Sequence, residues 1–202
     1  MSVVESYDPI ARDYCEKSVS SDRRATRARF GEYLQDDDLI FDAGCGSGID
    51  TRAFLELGFN VFALDGSKEM VKFATHYTGV PVEHLTFEEM EFDEQFDAIW
   101  ASYSLVHYSA AELRRIIPKF IKSLRNGGYW YMSFIYGLNE RPDASIPFYP
   151  KTEATLRQHL RHFLQLEEKE MWVTSGTKRD GNPAEFLHCI VQKKDFQVFN
   201  LN

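Results

Sequence analysis

Apolar and polar positions follow two rhythms along the chain. A helical spacing comes first, over roughly 7–17 and 21–34, and Ser20 or Ser21 can cap the second of these helices. After Asp36-Asp37-Asp38, short apolar runs alternate with helical stretches. Strands are predicted at 39–41, 60–64, 80–83, 96–101 and 129–135, and helices at 47–57, 67–76 and 110–124. The helix at 47–57 sets Ala53, Phe54 and Leu57 on one face and stops at Gly58, and Ser67 caps the next one. Pro81 marks the third strand as an edge or a strand start. Such alternation implies right-handed crossovers and a parallel sheet with helices on both faces. Beyond 135 the grammar changes: a loop at 137–150, a helix at 152–163 capped by Thr152, then strands near 165–173 and 185–193. The Gly-, Ser- and Asn-containing stretch 174–183 joins these two strands as an antiparallel hairpin finishing the sheet. The expected fold is an α/β three-layer sandwich on a mostly parallel seven-stranded sheet whose last strand is antiparallel.

Composition narrows the class without changing that picture. With 44% hydrophobic and 27% charged residues the chain is of globular type, and 202 residues suit one domain, since single cores grow up to roughly 250–300 residues. Within it, 1–35 reads as an N-terminal helical cap, 36–135 as the core, and 136–202 as loop, helix and hairpin. A net charge of −8 argues against nucleic acid as the partner, because duplex affinity comes from neutralising phosphates. No apolar run reaches the roughly 18–20 residues of a membrane span, and the first residues lack the basic head and apolar stretch of a signal peptide. Cys15, Cys45 and Cys189 are odd in number and widely spaced, the usage of reduced thiols, so the expected location is the cytoplasm.

The strongest chemical signal is Leu39-Ile-Phe-Asp-Ala-Gly-Cys-Gly-Ser-Gly48, a strand opening into a glycine turn and then a helix. Without Cβ atoms the backbone there can turn sharply and approach a ligand closely. Gly-x-Gly-x-x-Gly/Ala, the dinucleotide fingerprint, fails at Ile49 counted from Gly44 and at Thr51 counted from Gly46. The phosphate loop fails because no Gly-Lys pair exists. Asp42 ends the first strand. Asp65, at the tip of the second strand and 17 residues after Gly48, is placed to accept hydrogen bonds from ribose hydroxyls. Loop and acid together point to an adenosine-bearing cofactor.

On these residues the chain resembles the class I S-adenosylmethionine-dependent methyltransferases, and looks closest to small bacterial members of the tellurite-resistance type. Phe41–Gly48 matches the cofactor loop, Ala63–Met70 the ribose segment, Thr86–Met90 the stretch after strand three, Gln95–His107 strand four with its loop, and Leu124–Gly128 the turn before strand five. The resemblance implies a Rossmann-like fold, S-adenosylmethionine as methyl donor and S-adenosylhomocysteine as product. It implies that Gly44, Cys45, Gly46 and Gly48 lie against the methionine and ribose, with Asp42 orienting the loop or reaching the amino group. Asp65 would take the ribose diol, Gly66, Ser67 and Met70 the adenine side, and Thr86 and Phe87 the far face of the adenine. Many relatives carry an acid where Thr86 and Phe87 stand, followed here by Glu88. Ala101 and Ser102 would offer backbone oxygen to the ammonium. The pattern Tyr7-Asp-x-x-Ala-x-x-Tyr14 would fold over the cofactor, with Tyr14 near its carboxylate and Tyr7 toward the acceptor.

A sulfonium already carries the reactive methyl, so alignment and exclusion of water are the protein's task, and a base matters only where the acceptor must lose a proton. His107, just past strand four, reads either as that base or acceptor contact or as a helix-entry histidine holding a backbone group. Tyr103 flanks it as catalytic side chain or as wall, and Tyr108 as wall. The loop at 137–150, with Arg141, Phe148 and Tyr149, is long for a plain connection and reads as a lid over the acceptor, Arg141 suiting an anionic one. No metal site is expected: His159-x-x-His162 has no companion ligands. The run Arg23, Arg24, Arg27 and Arg29 reads as a solvated face. The leading function is an enzyme methylating a small molecule, acting as a monomer or homodimer. The alternative is a non-catalytic protein binding the same cofactor for regulation. A nicotinamide oxidoreductase fails on the loop and on the lack of a Tyr-x-x-x-Lys pair.

Overall fold

A computed structural model of the protein describes residues 5–18, 22–178 and 181–195. A 3-10 helix, Glu5–Ile10, and α1 (Ala11–Ser18) open the described chain, followed by α2 (Arg24–Gly31). The core runs β1 (Leu39–Ala43), α3 (Ile49–Glu56), β2 (Asn60–Asp65), α4 (Lys68–Thr78), β3 (Val82–His84), β4 (Phe96–Ala101), α5 (Ala110–Ser123) and β5 (Leu124–Ile135). It closes with α6 (Glu153–Leu160), β6 (Leu166–Thr177) and β7 (Pro183–Lys193). All seven strands form one sheet in the order β3-β2-β1-β4-β5-β7-β6, with β7 antiparallel to both its neighbours. The expected architecture therefore holds. Among the described residues no helix is long and apolar enough to cross a membrane.

Boundaries moved where local signals were weak. The second helix is shorter than its apolar pattern, begins after Arg23 with no side-chain cap, and leaves Ser20 and Ser21 outside the described residues. Strong caps sit where expected: Ser67 Oγ accepts from Met70 N at 3.2 Å, and Thr152 Oγ1 from Thr155 N at 3.3 Å. The hairpin strands are longer than their apolar cores, because pairing continues through polar residues as far as Thr177 and Pro183.

Strand pleating sorts the core into two layers. Phe41, Ile99, Trp130, Met132 and Cys189 face α5 and α6, while Ile40, Ala98, Trp100, Tyr131 and Ile190 face α2 and α3. Phe120 stacks on Trp130 at 4.8 Å in the first layer, and Trp100 on Tyr131 at 3.9 Å in the second. Each such fully buried ring contributes roughly 1.5–3 kcal/mol. Strand order reverses at β1, so β2 and β4 flank it and their carboxyl ends open a crevice where parallel sheets bind ligands.

The arginine run is not a solvated face. Arg27 is buried, and its guanidinium meets Asp50 at 2.6 Å; Arg23 reaches the same carboxylate at 2.5 Å. Arg29, half-buried, pairs with Glu170 and lies over the Trp172 ring, and Arg24, held by Asp22, is the most exposed of the four. An amphipathic pattern cannot reveal this arrangement, because the partner acid lies on another helix.

Candidate active site

The glycine turn is built by backbone geometry. Gly44, Gly46 and Gly48 all have left-handed φ, at 75°, 57° and 76°. Gly44 N and Cys45 N both donate to Leu64 O at 3.0 Å, tying the turn to the end of β2. The three glycines are bare for different reasons. A Cβ on Gly44 would stand 2.6 Å from Ser104 Cβ, and one on Gly48 would stand 2.6 Å from Thr78 Cγ2. One on Gly46 would meet only Tyr14 Cε1, at 3.8 Å. Gly46 is thus the least crowded of the three, while Gly44 lies under Ser104 and Phe87.

The cleft is lined by Tyr7, Tyr14, Gly44, Gly46, Asp65, Gly66, Met70, Leu85, Thr86, Phe87, Ser102, Tyr103, Ser104, His107 and Tyr108. These residues come from the N-terminal segment, the glycine turn and the ends of β2, β3 and β4. Asp65 Oδ2 accepts from Gly46 N and its Oδ1 from Ser67 N, each at 2.9 Å. Each carboxylate oxygen keeps a further lone pair for a ligand. Burial raises the Asp65 pKa against the lowering effect of those two amides.

Several expected residues lie behind the wall instead of on it. Asp42 is 2% exposed and accepts from Thr51 Oγ1 at 2.5 Å, so of its two expected roles the geometry supports orienting the loop. Burial, with Asp50 nearby, pushes its pKa up to about 7. Cys45 turns away from the cleft into a cluster with Ala63, Ala74 and Val82, and burial holds its thiol pKa well above the ordinary range. Gly48 packs on α4, Ala101 is wholly buried in the main core, and Ser67 caps α4 while donating to Asp8 Oδ1 at 2.5 Å. The acceptor lid expectation is not met. Arg141 is exposed and pairs its backbone with Phe148, and Tyr149 binds Val106 O through its own N–H at 2.8 Å; neither lines the cleft. A loop that folds back on itself and against the 3-10 helix Leu105–His107 satisfies its backbone there and leaves the opening to others.

His107 does reach the cleft. Its Nδ1 donates to Pro147 O at 2.8 Å, since a carbonyl only accepts, and this leaves the lone pair on Nε2. The Tyr7 hydroxyl donates to that lone pair at 2.7 Å. Burial pulls the His107 pKa down to about 4, so the ring is neutral at physiological pH. Tyr103 adopts a left-handed φ of 57° with its N–H on Ser133 Oγ at 3.0 Å, and burial pushes its phenol pKa up to about 12.

Leu85 and Ser104 were not foreseen, and Tyr108 was foreseen only as wall. Apolar pattern and motif spacing carry no mark for a hydroxyl that folding turns inward. Yet Ser102 Oγ and Ser104 Oγ are buried at the cleft with no hydrogen-bond partner among the described residues, a costly state that a polar ligand relieves. Those orphan hydroxyls, the accepting carboxylate of Asp65, the bare Gly46 and the apolar Met70, Leu85 and Phe87 fit an adenosyl amino acid.

Comparison with known proteins agrees with that fit. Residues 40–128 match a family model described as a methyltransferase domain. A ubiquinone biosynthesis O-methyltransferase of Rickettsia prowazekii is 31% identical over 94 residues, covering 44% of this chain and 36% of that protein. The chain thus spans about a third of the length of the curated relatives it matches. Among solved structures, a Burkholderia thailandensis 1,6-didemethyltoxoflavin-N1-methyltransferase with its substrate and S-adenosylhomocysteine is 21% identical, with a TM-score of 0.74 over 94% of this chain and 85% of that one. An N-methyltransferase from Bradyrhizobium japonicum with S-adenosylhomocysteine is 16% identical, at a TM-score of 0.64 over 94% and 98%. The likenesses in structure establish the fold, and what all the matches support is the class as a whole, not the tellurite-resistance subtype. Residues 40–128 thus match the methyltransferase domain family, and the chain has the fold of S-adenosylmethionine-dependent methyltransferases of known structure.

Proposed function

We propose that the protein transfers a methyl group from S-adenosylmethionine to a small-molecule acceptor by in-line displacement, chiefly through positioning. The observation that carries this reading is one continuous cleft, whose lining runs from Asp65, Thr86 and Phe87 to Tyr7, Tyr103 and His107. When bound, S-adenosylmethionine supplies an electrophilic sulfonium methyl. Asp65 would accept the ribose hydroxyls, Gly66, Met70, Thr86 and Phe87 would hold the adenine, and Gly44, Gly46, Ser102, Ser104 and Tyr14 would meet the amino-acid part. The tyrosines and Phe87 keep water from the reacting centre. His107, neutral and carrying on Nε2 the lone pair that Tyr7 holds, takes the acceptor's proton where there is one to lose. The relatives' names include both O- and N-methyltransferases, so similarity supports a small molecule and leaves its atom to the site chemistry.

Calorimetric titration with S-adenosylmethionine and S-adenosylhomocysteine, with NADH as control, tests the cofactor. Asp65→Ala should lose roughly 3 kcal/mol, about a hundredfold, by removing two charge-assisted hydrogen bonds. A folded protein that binds neither ligand refutes the reading. Binding followed by a methyl mass gain on a screened acceptor establishes the enzyme; binding with no turnover across the screen favours a cofactor-binding regulator.

A further inference from the structure

Tyr7 is the one cleft residue whose position describes what else belongs there. It sits on the 3-10 helix Glu5–Ile10, which is fastened to the opposite lip by Asp8, whose Oδ1 accepts from Ser67 Oγ at 2.5 Å and from Glu69 N at 3.3 Å. From that anchorage the Tyr7 ring meets the Tyr14 ring edge-on at 5.3 Å and the His107 ring at 5.4 Å. Its hydroxyl ends on His107 Nε2. An imidazole nitrogen has a single in-plane lone pair, so it holds one hydrogen-bond donor at a time. The Pro147 carbonyl fixes which nitrogen that is. Any acceptor hydroxyl that uses His107 must therefore take the place of the Tyr7 hydroxyl.

Resting on the methyltransferase reading above, we infer that the Tyr7 phenol occupies the acceptor's own subsite, and that the acceptor is an uncharged aromatic alcohol whose hydroxyl replaces Tyr7 on His107 Nε2. The lining around that point matches this class. Tyr103 and Tyr108 offer ring faces and edges, and Asp65, at the ribose end, is the only Asp, Glu, Lys or Arg among the described lining residues. A carboxylate or ammonium on the acceptor would enter without a counter-charge, at a desolvation cost that this wall does not offset. A neutral phenol repeats the contacts that Tyr7 already makes: edge-to-face ring packing and one O–H···N bond. Tyr7 is then a competitor in place, one that keeps the His107 lone pair satisfied until the acceptor arrives.

Competition gives the test a sign. Wild type, Tyr7→Phe and His107→Ala, each saturated with S-adenosylhomocysteine, are titrated with 4-propylphenol and with its methyl ether, 4-propylanisole, as probes. Binding is followed by NMR of the probes and of the histidine ring nitrogens. Removing the internal donor should tighten phenol binding about fivefold, the worth of one neutral hydrogen bond. It should leave the ether unchanged and shift the His107 Nε2 resonance only when the phenol is added. His107→Ala should abolish the preference for phenol over ether. If Tyr7→Phe weakens phenol binding or leaves it unchanged, Tyr7 works with the acceptor and not against it, and the inference is overturned. Equal binding of phenol and ether by Tyr7→Phe also overturns it. S-adenosylhomocysteine affinity, measured first on every variant, reports folding, and its absence in wild type refutes the underlying function instead.

Discussion

Replacing Asp50 by asparagine probes the charge cluster behind the cleft. Asp50 lies in the first turn of α3 with its side chain 4% exposed, and its two oxygens take Arg23 at 2.5 Å, Arg27 at 2.6 Å and Trp100 Nε1 at 3.0 Å. Asparagine keeps the volume and one accepting oxygen but deletes the charge, leaving two guanidinium groups together without a counter-ion. Breaking a buried ion pair from one side costs roughly 3–5 kcal/mol. Arg27 is 8% exposed and cannot hydrate, whereas Arg23 is 24% exposed and can in part, so the expected loss is about 3 kcal/mol, the lower end of that range. At roughly 2–4 °C per kcal/mol for a chain of this size, Tm falls by about 6–12 °C. Guanidinium chloride unfolding should show the same loss as a lower midpoint at unchanged slope. Arg157→Gln, which breaks an exposed pair with Glu168, is the control and should cost at most about 1 kcal/mol. An Asp50→Asn variant no less stable than that control would refute the reasoning, because it would mean that water already solvates both arginines. Arg23 also stands over the Tyr103 ring at 5.9 Å, so the same variant should loosen a wall of the cleft and weaken cofactor binding.

Three further outcomes are expected. Asp42, with its folded pKa pushed up to about 7, holds a proton at pH values where the unfolded chain, near 3.9, has lost it. Stability should therefore decline as pH rises from about 4 to about 7 and level off above, and Asp42→Asn should flatten the slope in melts across that range. Gly48→Ala adds a left-handed alanine whose Cβ would meet Thr78 Cγ2 at 2.6 Å, and should cost about 3 kcal/mol in chemical unfolding. Gly46→Ala meets only Tyr14 and should cost about 1 kcal/mol while cutting S-adenosylhomocysteine affinity, so equal effects of the two alanines would contradict the division of labour in the loop. Ser104→Ala removes a buried hydroxyl that has no partner among the described residues, and should raise stability by up to about 1 kcal/mol while lowering S-adenosylhomocysteine affinity several-fold, measured by melting and calorimetry.

The site was legible wherever its chemistry is carried by the backbone or by a strand tip. Gly44, Gly46 and Asp65 stand out because a left-handed turn at the end of one strand and an acid at the end of the next are spaced by the βαβ repeat itself. Cys45, Gly48 and Ala101 share that stretch, and no spacing tells which of its members turn away from the cleft. Arg141 failed for a different reason: its loop closes on itself at Phe148 and docks through Tyr149 on Val106, a contact between positions far apart in the chain.

The alternation of short apolar runs with helical stretches determined the layered sheet, its order of elements and the antiparallel end, because period and connection length are local properties. Tertiary structure alone decided the rest. It brought Tyr7 across the chain to His107, buried Arg27 on an acid of another helix, and turned Ser102 and Ser104 inward with no partner. Charge pairing, desolvation and unsatisfied hydrogen bonds depend on what surrounds a side chain in space, and that is settled only when distant segments pack.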